Sequence, residues 1–267
     1  MAATINYKLQ VLSSTLFIKN GSTERTYIDQ KILNLKTNIR TYFGNAVNDV
    51  LIFGSFKRDT ILPRYYDESS DVDFLIIFNQ AEREFIPETY RTRIRKFADT
   101  KYATSTVIKD HPSVVLEMNK IKFDLVPCRI AQSFFTNTYQ IPDKNGSWMN
   151  TDPLGFSEKL TSANTKYNSL VKPLIRLFKR WNAHNNYPFS TFELEQIIAN
   201  MNFSGDNYEK GFLYVIGQLS SSGLSIYNSK KIETLKTNGQ WIREYLDRDN
   251  QEKAIEVVYR ILGLKYN

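Results

Sequence analysis

Two apolar runs with unusual ends constrain this chain more than any other feature. Val50-Leu51-Ile52-Phe53 stops at Gly54-Ser55, and Asp71-Val72-Asp73 runs directly into Phe74-Leu75-Ile76-Ile77-Phe78. Short apolar runs bounded in this way predict buried strands. Side chains two apart on a strand point to the same face, so Asp71 and Asp73 crowd two negative charges onto one surface. Like charges held together are disfavoured unless a cation sits between them. A fold built on these strands must therefore place an acidic, cation-seeking edge beside a hydrophobic core.

A third carboxylate extends the pattern. Val114–Met118 and Ile121–Val126 predict two strands around an Asn119-Lys120 turn. Asp124 alternates with Phe123 and Leu125 and so turns away from the apolar layer. If its strand neighbours the Asp71 strand, all three carboxylates share one face. Magnesium favours such hard oxygen ligands and keeps phosphate oxygens in its shell. In a two-metal site, one ion activates a hydroxyl and the other holds a triphosphate. Gly54-Ser55 suits the phosphate end. Glycine lets the backbone approach closely, and amides with the Ser55 hydroxyl at a helix start hold anionic oxygens. Taken singly these signals are weak: a lone Asp-x-Asp is usually a solvated strand end, and a lone Gly-Ser is usually a turn. In this order, on these elements, they are specific.

Helices surround the predicted sheet. From Glu24 to Phe43, Ile28, Ile32, Leu35, Ile39 and Phe43 recur at helical spacing, and Asn20-Gly21-Ser22 separates this helix from an earlier one. A basic helix is expected between Pro87 and Tyr102. Beyond residue 155 the pattern is helical: Leu170–Trp181 with Pro173 in its first turn, a helix opened by the capping-box pair Ser190 and Glu193, then stretches around Gly211–Leu219 and Trp241–Leu262.

Composition narrows the function classes. The 267 residues carry a net charge of +7 and a pI near 9.2, which favours anionic partners, although solubility alone explains as much. Cys128 is the only cysteine, so no intrachain disulfide forms. With only His111 and His184 beside it, a thiolate or imidazole zinc site is disfavoured. The opening MAATINYKLQ lacks a signal-peptide pattern, and no apolar run approaches the roughly 20 residues that span a bilayer. The expectation is a cytoplasmic chain without a membrane partner.

Gly54-Ser55, Asp71 with Asp73, and Asp124 resemble the signature of the DNA polymerase β nucleotidyltransferase superfamily. Ile141–Trp148 with Thr151-Asp152-Pro153, Leu177–Asn182, and Ser190–Glu195 resemble bacterial CD-NTases, the relatives of cyclic GMP-AMP synthase and oligoadenylate synthase that act in anti-phage defence (CBASS). The resemblance implies an α+β, polymerase β-like fold, with a mixed-sheet lobe, a helical lobe and an active site in the cleft between them. Residues 1–135 would form the catalytic core with its N-terminal helices, and 136–267 the nucleotide-binding helical lobe. Asp71, Asp73 and Asp124 would be the catalytic carboxylates, holding two Mg2+ ions with Mn2+ as a substitute. Gly54 and Ser55 would hold the donor triphosphate, Lys179 and Ser190 or Thr191 would reach phosphates, and Phe192 would stack on a base.

Local physics is compatible with these roles but offers plainer ones. Lys172, Arg176, Lys179 and Arg180 fall on one side of their helix, away from its apolar stripe; a solvated face would look the same. Ser190 is equally an N-cap, and Phe192 equally a core aromatic. Trp148 forms part of a nucleotide lid or packs the lobes. Asp59 departs from the superfamily, where glycine commonly precedes the threonine, and is expected to point away from the phosphates.

The implied activity joins nucleoside triphosphates into a cyclic di- or oligonucleotide second messenger with release of pyrophosphate. It requires no nucleic acid, and a separate effector, of STING type in some systems, reads the product. The alternative is template-independent addition of nucleotides to an RNA or tRNA end. Asp152 motivates a guanine preference, with cyclic di-GMP as product, because a carboxylate accepts from N1–H and the N2 amine. Its plainer role is to cap the turn at Pro153.

Overall fold

The computed structural model describes residues 3–80, 84–110, 112–118, 121–132 and 137–266. The expected Asn119-Lys120 turn lies outside these residues, as does His111. The chain divides into two compact units. One comprises residues 18–64 and 68–158, and the other 1–17, 65–67 and 159–267.

The first unit is built on a mixed sheet of β1 (Val47–Phe53), β2 (Asp71–Phe78), β3 (Thr106–Asp110), β4 (Ser113–Met118), β5 (Ile121–Gln132), β6 (Asn137–Pro142) and β7 (Trp148–Thr151). The main order is β1-β2-β5-β4-β3, with β6 on the far end of β5 and β7 on β6. Among the described residues, only the β2–β5 pair is parallel. Alternation along β2 divides its side chains between two faces. Val72, Phe74, Ile76 and Phe78 enter the main core with Phe123 and Leu125 of β5, where α2 (Thr23–Phe43) contributes Ile28, Leu35 and Ile39 and α4 (Pro87–Lys101) contributes Tyr90, Ile94 and Phe97. On the opposite face, Leu75, Ile77, Val126 and Cys128 form a smaller cluster with Leu51, Phe53, Ile130, Tyr139 and Ile141. That face continues, one step towards the start of β2, into Asp73 and Asp71.

The second unit is helical. α1 (Ile5–Thr15) packs on α6 (Val171–His184), α8 (Tyr208–Gln218) and α10 (Gln251–Leu262), while α7 (Thr191–Ala199) packs on α6 and α9 (Ile226–Asp247) on α10. The stretch expected around Trp241–Leu262 is two helices, parted where Asp249 takes a left-handed φ of 52°. Short Asn and Asp side chains tolerate that conformation best after glycine.

The expected division at 135/136 falls instead at 158/159, with the first 17 residues joining the helices. β5 runs on to Gln132 and pairs with β6, which keeps residues 137–151 on the sheet. The apolar face of α1 is buried by Ile5, Leu9 and Leu12 among the later helices. Between the units in sequence runs α5 (Gly155–Lys166). Among the described residues, no helix is long and apolar enough to cross a membrane.

Candidate active site

The sequence left one condition open: whether the Asp124 strand neighbours the Asp71 strand. It does. β2 and β5 pair in parallel with Asp73 opposite Asp124 and Asp71 opposite Lys122. All four side chains therefore project from one face, at the start of the two strands. The three aspartates are half-buried. Ser113, at the start of β4, donates its hydroxyl to Asp124 Oδ2 at 3.2 Å. Sequence reasoning missed Ser113, because a serine opening a strand carries no signal until the pairing is known.

Gly54 shows why no other residue suits its position. β1 pairs antiparallel with β2, placing Phe53 opposite Asp73, and the chain turns at Gly54 with φ +69° into α3 (Gly54–Lys57). A Cβ at Gly54 would lie 1.6 Å from Asp73 Oδ2. The turn that ends β1 is thus pressed against a carboxylate of the site. The Ser55 carbonyl accepts from Thr60 N at 3.0 Å and Ile61 N at 3.2 Å, closing the loop back onto the turn. Asp59 adopts φ +61°, a conformation glycine takes without cost. Its carboxylate lies 3.8 Å from Arg25 on α2, which also stacks over Phe56.

Hard carboxylate oxygens in cross-strand register, with a glycine cradle beside them, are a donor set that suits divalent cations. The fit lies in the backbone. As the side chains stand, no three acidic, His or Cys groups among the described residues close into one metal-holding cluster. A separate cavity of about 560 Å3, lined by Asn48, Phe78, Asn79, Gln80 and Arg129 among others, lies at the opposite end of β2 and contains none of these residues.

The expected nucleotide-binding residues of the helical unit form a second group, and the structure revises part of it. Lys179 is 4% exposed, with its Nζ 3.2 Å from Oε1 of the fully buried Glu195 on α7. Its ammonium is held by an internal ion pair rather than presented to a phosphate, because a cation buried this deeply needs a counter-charge. Arg176 bonds the Ser13 carbonyl and stacks over Phe17. Arg180 donates to the carbonyls of Tyr66 at 2.7 Å and Gly263 at 2.9 Å. Burial lowers the Arg180 pKa from its ordinary value, and Asp67 opposes that shift. The basic side of α6 therefore binds α1, α7, residues 65–67 and the end of α10. Ser190 caps α7, accepting from Glu193 N at 3.2 Å. Thr191 is exposed, and Phe192 is 46% exposed, so it is not a core aromatic.

Asp152 also takes its plainer role. Its Oδ1 accepts from Gly155 N at 2.8 Å and Leu154 N at 3.3 Å, capping the turn into α5. Trp148 packs within the sheet unit, edge-on to Tyr90 and under the Arg129 guanidinium at 4.9 Å.

Comparison with known proteins agrees with this arrangement. The model of the Second Messenger Oligonucleotide or Dinucleotide Synthetase domain matches residues 4–164. A cyclic AMP-AMP-AMP synthase from an Acinetobacter species is 29% identical over 266 residues, covering 85% of this chain and 75% of that protein. A CBASS oligonucleotide cyclase CdnC from Escherichia coli is 23% identical over 222 residues, covering 76% and 67%. Among solved structures, the Bradyrhizobium diazoefficiens CD-NTase CdnG in complex with GTP superposes with a TM-score of 0.70 at 12% identity, covering 96% of this chain and 97% of that one. The Vibrio cholerae DncV cyclic AMP-GMP synthase, bound to nonhydrolyzable GTP, superposes at 0.64 and 12% identity, covering 80% and 68%. At such identities the structural likeness shows the fold.

Proposed function

Because the chain belongs to the Second Messenger Oligonucleotide or Dinucleotide Synthetase family of bacterial CD-NTases, we propose that it joins nucleoside triphosphates into a cyclic oligonucleotide on the Asp71, Asp73 and Asp124 face. The observation that carries this reading is the β2–β5 register, which sets Asp73 opposite Asp124. In each step a ribose hydroxyl oxygen forms a bond to an α-phosphorus, the bond to the β-phosphate oxygen breaks, and pyrophosphate leaves. The last bond closes the ring. Asp71, Asp73 and Asp124 would hold two divalent ions, magnesium or manganese. Bound there, these ions would acidify the attacking hydroxyl and neutralise the triphosphate.

The protein's own groups divide the remaining work. Gly54 gives the donor phosphates access to the backbone, and the Ser55 hydroxyl bonds them. Asp124, steadied by Ser113, stands beside the attacking hydroxyl. Phe192, exposed on α7, offers a stacking surface for a base. A CBASS role, with the product read by a separate effector, is supported by the names of the relatives. A guanine preference rests on Asp152, whose Oδ1 also caps a turn, and the named proteins include both an all-adenine synthase and enzymes bound to GTP or its analogue.

The test is a product assay with each labelled nucleoside triphosphate, alone and in pairs, with magnesium or manganese. After phosphatase treatment, resistant products are identified by mass spectrometry. Asp71→Asn/Asp73→Asn is the blank and is expected to lose at least about a thousandfold in rate. A cyclic product absent from the blank supports the reading and names the bases. Label entering only the end of added RNA would replace it with polymer tailing.

A further inference from the structure

Two rows of side chains cross the carboxylate face. The inner row, from β2 through β5 to β4, is Asp73, Asp124 and Val115. The outer row is Asp71, Lys122 and Glu117. Lys122 is thus flanked by a carboxylate on each neighbouring strand and lies two residues before Asp124 on the same face. Glu117 Oε1 is held at 3.0 Å by Arg64, which also donates to the Glu68 carbonyl at 3.2 Å. The Lys122 ammonium stands 3.9 Å from the same Oε1, beyond hydrogen-bond distance. Arg64 and Lys122 thus share Glu117, and Asp71 stands opposite Lys122 on the other side. All three side chains are partly exposed: Arg64 23%, Glu117 35% and Lys122 28%.

A lysine beside metal-binding carboxylates would weaken cation binding if neutralising them were its only effect. Its position instead suits an anion that arrives with the cations. We propose that Lys122 holds a phosphate of the acceptor nucleotide, with Arg64 and Glu117 fixing where the ammonium stands. The proposal rests on the reading that Asp124 faces the attacking hydroxyl, because Lys122 is the next outward residue on that side of the site. An ammonium is a mobile point charge that suits a phosphate approached from several angles. A phosphate contact of this kind is charge-assisted and strong.

Two measurements test it. The first titrates inorganic tripolyphosphate into the protein without divalent ions, in the Asp71→Asn/Asp73→Asn background. Adding Lys122→Gln is expected to weaken binding about tenfold, while Lys122→Arg stays within about twofold. The second supplies a linear dinucleotide acceptor with a 5′-triphosphate or a 5′-hydroxyl to otherwise unaltered protein. The preference for the phosphorylated acceptor, read as a ratio of kcat/KM, is expected to fall about tenfold in Lys122→Gln and to return in Lys122→Arg. Unchanged tripolyphosphate binding in Lys122→Gln overturns the anion site. Weakened binding with an unchanged acceptor preference overturns the assignment to the acceptor. If unaltered protein uses neither acceptor and makes no product, the fault lies with the proposed function, and the titration alone judges Lys122.

Discussion

The sheet unit and the helical unit handle charge in opposite ways. On the sheet, β2 and β5 set Asp71, Asp73 and Asp124 on one face, gathering like charges at one edge. In the helical unit, the basic side of α6 spends its charges inwards: Lys179 on Glu195, Arg176 on Ser13, Arg180 on Tyr66 and Gly263. Both patterns look functional in sequence. The difference is whether the fold brings partners of opposite sign. Cations on α6 meet a carboxylate and carbonyl oxygens, which hold the helices together. On β2 and β5, Asp73 stands opposite Asp124, and like charges side by side gain from an added cation.

The sharpest way to break this contrast is at Gly54. A Cβ there overlaps Asp73 Oδ2 at 1.6 Å, and φ +69° strains any side chain. Gly54→Ala is expected to push Asp73 from its place and to lower product formation about a hundredfold. Gly146 has φ +80° with nothing within 4 Å of its would-be Cβ. Gly146→Ala should therefore cost about 1–2 kcal/mol of backbone strain, read by thermal melting, and leave turnover nearly intact. Equal activity losses in the two variants would mean that the Gly54 contact does not position the site.

The helical side of the contrast rests on the buried pair. Lys179→Met leaves Glu195 charged and fully buried, and is expected to lower stability by about 3–5 kcal/mol in denaturant melts. Lys179→Met/Glu195→Leu removes both charges and should recover most of that loss. Recovery of stability together with recovery of turnover keeps Lys179 a structural residue. A double variant that melts like the unaltered protein but makes no product would return Lys179 to the phosphates and blur the division between the units.

How far the sequence revealed these two regions follows from what each depends on. β2 was readable to its ends, because Asp71–Phe78 is a continuous apolar run behind two carboxylates. α2 and α4 were readable from their apolar periodicity and from Pro87 at a helix start. β3, β6 and β7 were not: Asn137–Pro142 offers only Tyr139 and Ile141 on its apolar face, Trp148–Thr151 is too short to show one, and both are held as strands by pairing with β5 and with each other. Asp71, Asp73 and Asp124 were identifiable by type and spacing, but their common face waited on strand order. The Lys179–Glu195 pair was not identifiable, since its partners lie 16 residues apart on two helices and nothing in local sequence sets how those helices pack.

Asp152 offers the smallest effect and the finest distinction. It belongs to the sheet unit, yet it is used as α6 uses its charges, on the chain itself: Oδ1 receives two amides of the turn into α5. Asp152→Ala should then cost about 1 kcal/mol, a melting shift of about 2–4 °C, and leave the ratio of products from different nucleoside triphosphates unchanged. Asp152→Asn, which keeps an oxygen acceptor, should melt close to the unaltered protein. A changed product ratio in Asp152→Ala without a melting shift would reverse the assignment. The carboxylate would then act outwards, on a base.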